Sequence, residues 1–304
     1  MDTFPCEIWI HIFEFSCTDG GQTGRSISLV SKLARDLVQP LRLNSLCVTS
    51  ARQIIGLREY LERLSVDERA VYHLFIASTY PGTDTRIHPT QIYDSMTRIL
   101  RLVSRTLVTL TTHLLFISNP ILPQGLHFPH LEELTLYGHF NTFTDREAIP
   151  SLRRLHISAL SGGEMLVRNI TRGCPFLTHL YVLERGLSLS EVEKSLGVVP
   201  ESTLATPSRF QLPRTIKKIL VETDLTHLRQ GLTVSPSDGV SVNTHRVLSD
   251  KIAQAETVSI LTGVEVRLVA RGEGKWGSIA SALQDRRERF EFGMEGRWDA
   301  VLEM

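Results

Sequence analysis

The sequence has little of what marks the specialised classes of protein. Neither sign of charge is in excess: Lys+Arg and Asp+Glu are both 33 in 304 residues. A chain that tracks a phosphate backbone or an anionic membrane carries a basic surplus, so neither a nucleic-acid nor a membrane partner is expected. Cysteine is scarce. Cys6, Cys17, Cys47 and Cys174 keep no regular spacing and form no C-x-x-C pair, which excludes a zinc knuckle and a disulfide framework. No apolar run reaches the ~18 residues of a membrane span. The opening "MDTFPCEIWIHIF" lacks a basic n-region and a small-residue cleavage site, so it does not read as a signal peptide. These absences point to a soluble protein of a reducing compartment, cytoplasmic or nuclear. Catalytic signatures are missing too, with no G-x-S-x-G and no H-E-x-x-H. The eleven histidines contain no i, i+4 pair. His127 and His130 flank Phe128-Pro129, a local coincidence rather than a metal site. No catalytic residue, metal or cofactor is expected.

What is present begins with an ordinary apolar content of 42%, enough for a globular core. Two glycine clusters invite a nucleotide reading. The first, "CTDGGQTGRS", puts Asp19 where a phosphate-binding loop needs its first glycine, and Arg25 where it needs lysine. The segment before it is helical in pattern, with Ile8, Ile12 and Phe15 on one face. A second stripe, Ile27, Val30, Leu33, Ala34 and Leu37, follows and ends before Pro40. Residues 4–40 therefore read as two short amphipathic helices around a glycine turn. The second cluster is Gly272, Gly274 and Gly277, a G-x-G-x-x-G after a strand-like run and before a helix-like one. It leaves a nucleotide-dependent enzyme as an alternative. Only 27 residues follow Gly277, whereas a dinucleotide fold needs further strand–helix units. Glu273, Lys275 and Trp276 also crowd the approach to a pyrophosphate. A turn is the better reading.

Four segments share a pattern: "FPHLEELTLYG" (128–138), "IPSLRRLHIS" (149–158), "CPFLTHLYVLE" (174–184) and "LPRTIKKILVE" (212–222). Each runs apolar-or-Cys, then Pro (the last as Leu-Pro), then Φ-x-x-Φ-x-Φ. Weaker copies lie in "LRLNSLCV", "VYHLFIA" and "LVTLTTHLLF". Helical patterns fall between them at 51–64 and 89–104, the second with Ile92, Met96, Ile99, Leu100 and Val103 as its stripe. Leu131 to Leu152 and Leu152 to Leu177 span 21 and 25 residues, near the ~20–29 of leucine-rich repeats. Strand alternation sends Glu133, Thr135 and Tyr137 to the face away from the helices, with Arg154, His156 and Ser158, then His179, Tyr181 and Leu183.

Two family resemblances follow. "FPCEIWIHIFEFSCTDGG…SLVSKLARDLVQPLRLNSL", residues 4–46, resembles an F-box, the helical module that binds the Skp adaptor of SCF ubiquitin ligases. Phe4, Pro5, Glu7 and Ile8 match its opening, Ile12 and Phe13 its middle, and Val30, Ser31, Lys32, Arg35 and Pro40 its end. Ala34 stands where Trp is common. The insert Thr18–Arg25 is similar to one in a fungal F-box-like family. The four patterned segments resemble the irregular leucine-rich repeats found after F-boxes, although His139, Leu160 and Arg185 stand where Asn or Cys would end the motif.

The expected fold class is α/β: an F-box-like helical module over 1–45, then an irregular leucine-rich-repeat-like solenoid over 46–304. The resemblance implies a non-catalytic substrate receptor of a cullin ligase. A Skp-type adaptor would meet Phe4, Pro5, Ile8, Ile12, Phe13, Val30, Ser31 and Leu33. A target protein of unknown identity would meet Tyr137, Arg154, His156, His179 and Tyr181. The nearest alternative is a binding scaffold of the same shape without ligase assembly.

Overall fold

The computed structural model describes residues 5–17, 20–78, 87–114, 122, 125–137, 148–158, 163–183, 187–198, 210–223 and 240–270. Three short helices open the chain: α1 (Cys6–Ser16), α2 (Gln22–Val30) and α3 (Lys32–Val38). The single second stripe read from the sequence is broken between α2 and α3. Ser31 leaves helical backbone, at φ −157° and ψ 165°, and its hydroxyl accepts from the Ala34 N–H at 3.0 Å. Serine is a strong N-cap, because this bond satisfies an otherwise orphaned amide. A 3-10 turn, Gln39–Leu43, then leads into the first strand.

Among the described residues eight strands follow: β1 (Ser45–Val48), β2 (His73–Ala77), β3 (Thr109–His113), β4 (Glu133–Tyr137), β5 (Arg154–Ser158), β6 (His179–Leu183), β7 (Lys218–Thr223) and β8 (Glu265–Ala270). They form one sheet in chain order, every pair parallel. Parallel neighbours need a crossover. Among the described residues these contain α4 (Ala51–Arg63), α5 (Pro89–Val103), α6 (Gly163–Gly173), α7 (Leu189–Ser195) and α8 (Val240–Thr262). No helix among the described residues is long and apolar enough to cross a membrane.

This architecture corrects the expected fold class. The chain is not an N-terminal helical module followed by a leucine-rich-repeat solenoid. Its described residues form an α/β fold built on a single eight-stranded, all-parallel sheet. The physical reason lies in the connections. A repeat solenoid stacks near-identical units, but α5, α6, α7 and α8 have 15, 11, 7 and 23 residues.

Backbone bonding fixes how each strand begins. The carbonyl of Asn44 accepts from the N–H groups of both Tyr72 and His73. Tyr72, Val108, Glu132, Arg153 and Thr178, each just ahead of its own strand, likewise accept from the two residues that lead into the next strand of the sheet. The register that results is direct: Glu133 pairs Arg154, which pairs His179, which pairs Lys218. Alternate side chains therefore line up in rows across the sheet. Leu134, Leu136, Leu155, Ile157, Leu180, Val182, Ile219 and Val221 face the helices and join Ile92, Met96, Ile99 and Leu100 in one core. The N-terminal helices bury a second, separate cluster of Phe13, Cys17, Val38 and Leu41.

Candidate functional site

Two places concentrate side chains beyond what packing needs. The first is the N-terminal helices. Pro5 precedes α1 with ψ 145°, and Glu7 sits in the first turn, where a carboxylate suits the helix dipole. Trp9, Ile10 and Phe13 turn inward, Trp9 and Phe13 with ring centroids 5.9 Å apart. Ile8, Ile12 and Phe15 recur at four and three residues, so they share the opposite stripe, and all three are exposed. Leu29 and Val30 end α2 and Leu33 lies in the first turn of α3; these are exposed as well. Phe15, at 86%, and Leu29, at 74%, have almost no cover. Six of the fourteen large apolar side chains exposed among the described residues fall within positions 8–33. Single exposed apolar residues are ordinary; their concentration on three short helices is what makes this stretch a candidate site.

The residues expected to meet an adaptor divide accordingly. Pro5, Ile8, Ile12, Val30 and Leu33 are exposed. Phe13 is buried in the helical cluster and Ser31 caps α3, so both hold the helices in shape. Phe4 lies outside the described residues. Phe15 and Leu29 were not singled out for docking, although Phe15 already fell on the Ile8–Ile12 face by its spacing.

The second place is the sheet face away from the helices. Rings from neighbouring strands stack across it. The His113 and Tyr137 centroids are 5.0 Å apart, Tyr137 meets His156 edge-on at 5.4 Å, and His156 meets Tyr181 at 4.2 Å. The Tyr181 hydroxyl donates to Glu222 Oε2 at 3.1 Å. Tilted and edge-on ring pairs are the favoured geometries, because they bring a ring's positive edge toward a negative face. The row thus runs from β3 to β7 and joins Tyr137, His156 and Tyr181, as the strand alternation implied. It also includes His113 and Glu222, which the sequence reading left out.

These rings are buried, so they are not an open surface as placed. Arg154 and His179 sit beside them in the adjacent row and are half-buried. Burial pushes the His113 imidazole below its ordinary pKa; a smaller opposing effect comes from its own backbone. Neither ring nitrogen of His113 has a hydrogen-bond partner among the described residues. No group of three His, Cys, Asp or Glu among them is placed to hold a metal ion, and His127 and His130 are both exposed. Gly272, Gly274 and Gly277, like Trp276, lie outside the described residues. In the first glycine cluster Gly20 and Gly21 turn the chain, at φ +81° and +96°, and Gly24 lies in α2.

No protein-family model matches this chain, and no curated protein matches it.

Proposed function

We propose that this chain is a non-catalytic binding subunit of a cullin ubiquitin ligase. Its N-terminal helices dock on a Skp-type adaptor, and the sheet-bearing remainder holds a target protein. One observation carries the reading: α1, α2 and α3 build their own small core from one set of apolar residues and leave Ile8, Ile12, Phe15, Leu29, Val30 and Leu33 in water. A helix trio of this size has no use for a second apolar surface except to bury it against a partner. The F-box resemblance, on Pro5, Glu7, Ile8, Ile12, Phe13, Val30, Ser31 and Pro40, names the partner class. On the sheet, Arg154 and His179 are the expected target-binding residues with the exposure to meet another chain. Tyr137, His156 and Tyr181 lie beside them on the same face and are buried.

Co-expression with a Skp-type adaptor and size-exclusion chromatography tests the reading. A stable complex is expected for the wild-type chain. Ile8→Asp and Leu29→Asp each place a charge in the apolar contact, and an uncompensated charge there costs several kcal/mol, on the order of a hundredfold or more in affinity. Both positions are exposed in the free chain, so circular dichroism and melting temperature are expected to stay unchanged. A wild-type chain that elutes apart from the adaptor removes the ligase assignment.

A further inference from the structure

The glycine-rich segment between α1 and α2 has no part in the docking surface, yet it is tied to the far side of the N-terminal helices. The Gly20 N–H donates to the Ser45 hydroxyl at 3.1 Å. Ser45 is the first residue of β1 and is buried. Gly21 follows close by: a Cβ added there would stand 3.6 Å from the Ser45 carbonyl oxygen. Both glycines hold positive φ, a backbone that other residues adopt at a cost. Gly24 is packed as tightly, with the Cys17 sulfur 3.3 Å from where its Cβ would be. A second tie crosses the same joint. The Arg42 guanidinium donates to the Tyr60 hydroxyl on α4 and lies 5.9 Å from that ring's centroid.

The joint needs such ties. The helical cluster ends at Leu41, whereas Leu43 and Leu46 pack on the sheet core. Two separate apolar cores therefore meet at the turn around Asn44. Without cross-bonds, a link of this length is a hinge, since few buried apolar contacts span it.

We infer that Gly20, Gly21 and Ser45, with Arg42 and Tyr60, form a clamp that fixes the angle between the docking helices and the sheet. It deepens the docking proposal and rests on it for its use: a subunit that presents a target must hold adaptor surface and target surface at a set separation. Ser45 and Arg42 are positioning residues in this account and touch neither partner.

Spin labels test the clamp in the full chain. One is placed at Ser26→Cys on α2 and one at Arg63→Cys at the end of α4, with Cys6 and Cys47 replaced by Ala. Dipolar spectroscopy is expected to give one narrow distance for the otherwise wild-type chain. The distribution is expected to widen by about a factor of two in Ser45→Ala/Arg42→Ala, as a fixed joint becomes a mobile one. Ser45→Thr/Arg42→Ala, which keeps the hydroxyl, is expected to give a narrower distribution than Ser45→Ala/Arg42→Ala. In Ser45→Ala the Gly20 amide is expected to exchange about tenfold faster, while amides of α1 and β4 keep their rates, which separates a lost clamp from a lost fold. A wild-type distribution already as broad as the double variant's overturns the clamp, and so does a double variant as narrow as wild type. Adaptor binding is read separately: a narrow distance with no adaptor complex removes the docking reading and leaves the clamp standing.

Discussion

At the scale of single residues, His113 joins burial in the sheet to a shifted titration. Its ring is buried against Tyr137, and burial holds its pKa below the ordinary imidazole value. The neutral form is therefore the one the fold accepts. Above about pH 6.5 the folded and unfolded chains both carry a neutral His113, and it adds no penalty. As pH falls below that value, the unfolded chain takes up a proton that the folded chain refuses, so stability is lost. The melting temperature is expected to fall between about pH 7.5 and about pH 5.5, and to fall less in His113→Phe, which keeps the ring stack without the titration. Equal slopes in the two proteins would show that other groups set the pH dependence. Cys174 makes a companion case. Burial pushes its thiol far up, and thiolate is the reactive form. A thiol reagent at neutral pH is expected to modify exposed Cys6 in the native chain, and to reach Cys174 only on unfolding. Early labelling of Cys174 would mean that the α6–β6 junction opens readily.

Among the elements, α7 shows how a short helix is held. Ser188 and Glu191 form a reciprocal cap: the Ser188 N–H donates to Glu191 Oε2 at 2.8 Å, and the Glu191 N–H donates to Ser188 Oγ at 3.4 Å. The Glu191 carboxylate fills the space beside Gly163 at the start of α6, so a Cβ there would collide with it. Gly163→Ala is expected to push the carboxylate away and to cost about 1 kcal/mol, the usual worth of a cap. In a Glu191→Ala background the same change should cost less, a coupling that a double-mutant cycle in denaturant reads directly. Additive costs would place the strain elsewhere. Elements were the most legible scale in the sequence. Strand positions followed from apolar alternation, as with Leu134 and Leu136 or Leu180 and Val182. Helix α5 followed from its stripe, and Ile92, Met96, Ile99, Leu100 and Val103 are all buried. The break at Ser31 was not legible, because Ile27, Val30, Leu33, Ala34 and Leu37 keep helical spacing straight through it. Nor was the burial of Tyr137, His156 and Tyr181. Alternation assigns a side chain to a face and is silent on what lies over that face. The candidate docking site was readable as a set of apolar positions, but the inward role of Phe13 and the outward role of Phe15 depend on how three helices pack.

For the whole molecule, the arrangement of strands was the least legible feature. Local patterns place eight strands, but their union in one all-parallel sheet in chain order is decided by crossovers of unequal length. Besides the small clusters of Phe75, Ala77 and Tyr137 and of Tyr181 and Leu220, the described residues hold one large core along the sheet and one small core in the N-terminal helices. Their sizes make them unequal partners. A cluster built on Phe13, Cys17, Val38 and Leu41 buries too little apolar surface to stand alone. The sheet core does not depend on it, since α4 and α5 pack on the sheet without touching that cluster. The helices can therefore open while the sheet stays folded, whereas loss of the sheet removes β1, and with it Ser45 and the turn that anchors them. Phe13→Ala is expected to cost about 3 kcal/mol, and its effect should be local. Hydrogen exchange should speed up through residues 6–38 and stay slow in β4 to β7. Leu134→Ala, a comparable truncation in the large core, should speed exchange in both regions and lower the main melting transition. If Phe13→Ala instead accelerates exchange evenly from α1 to β8, the two cores melt as one unit, and the asymmetry argued from their sizes is wrong.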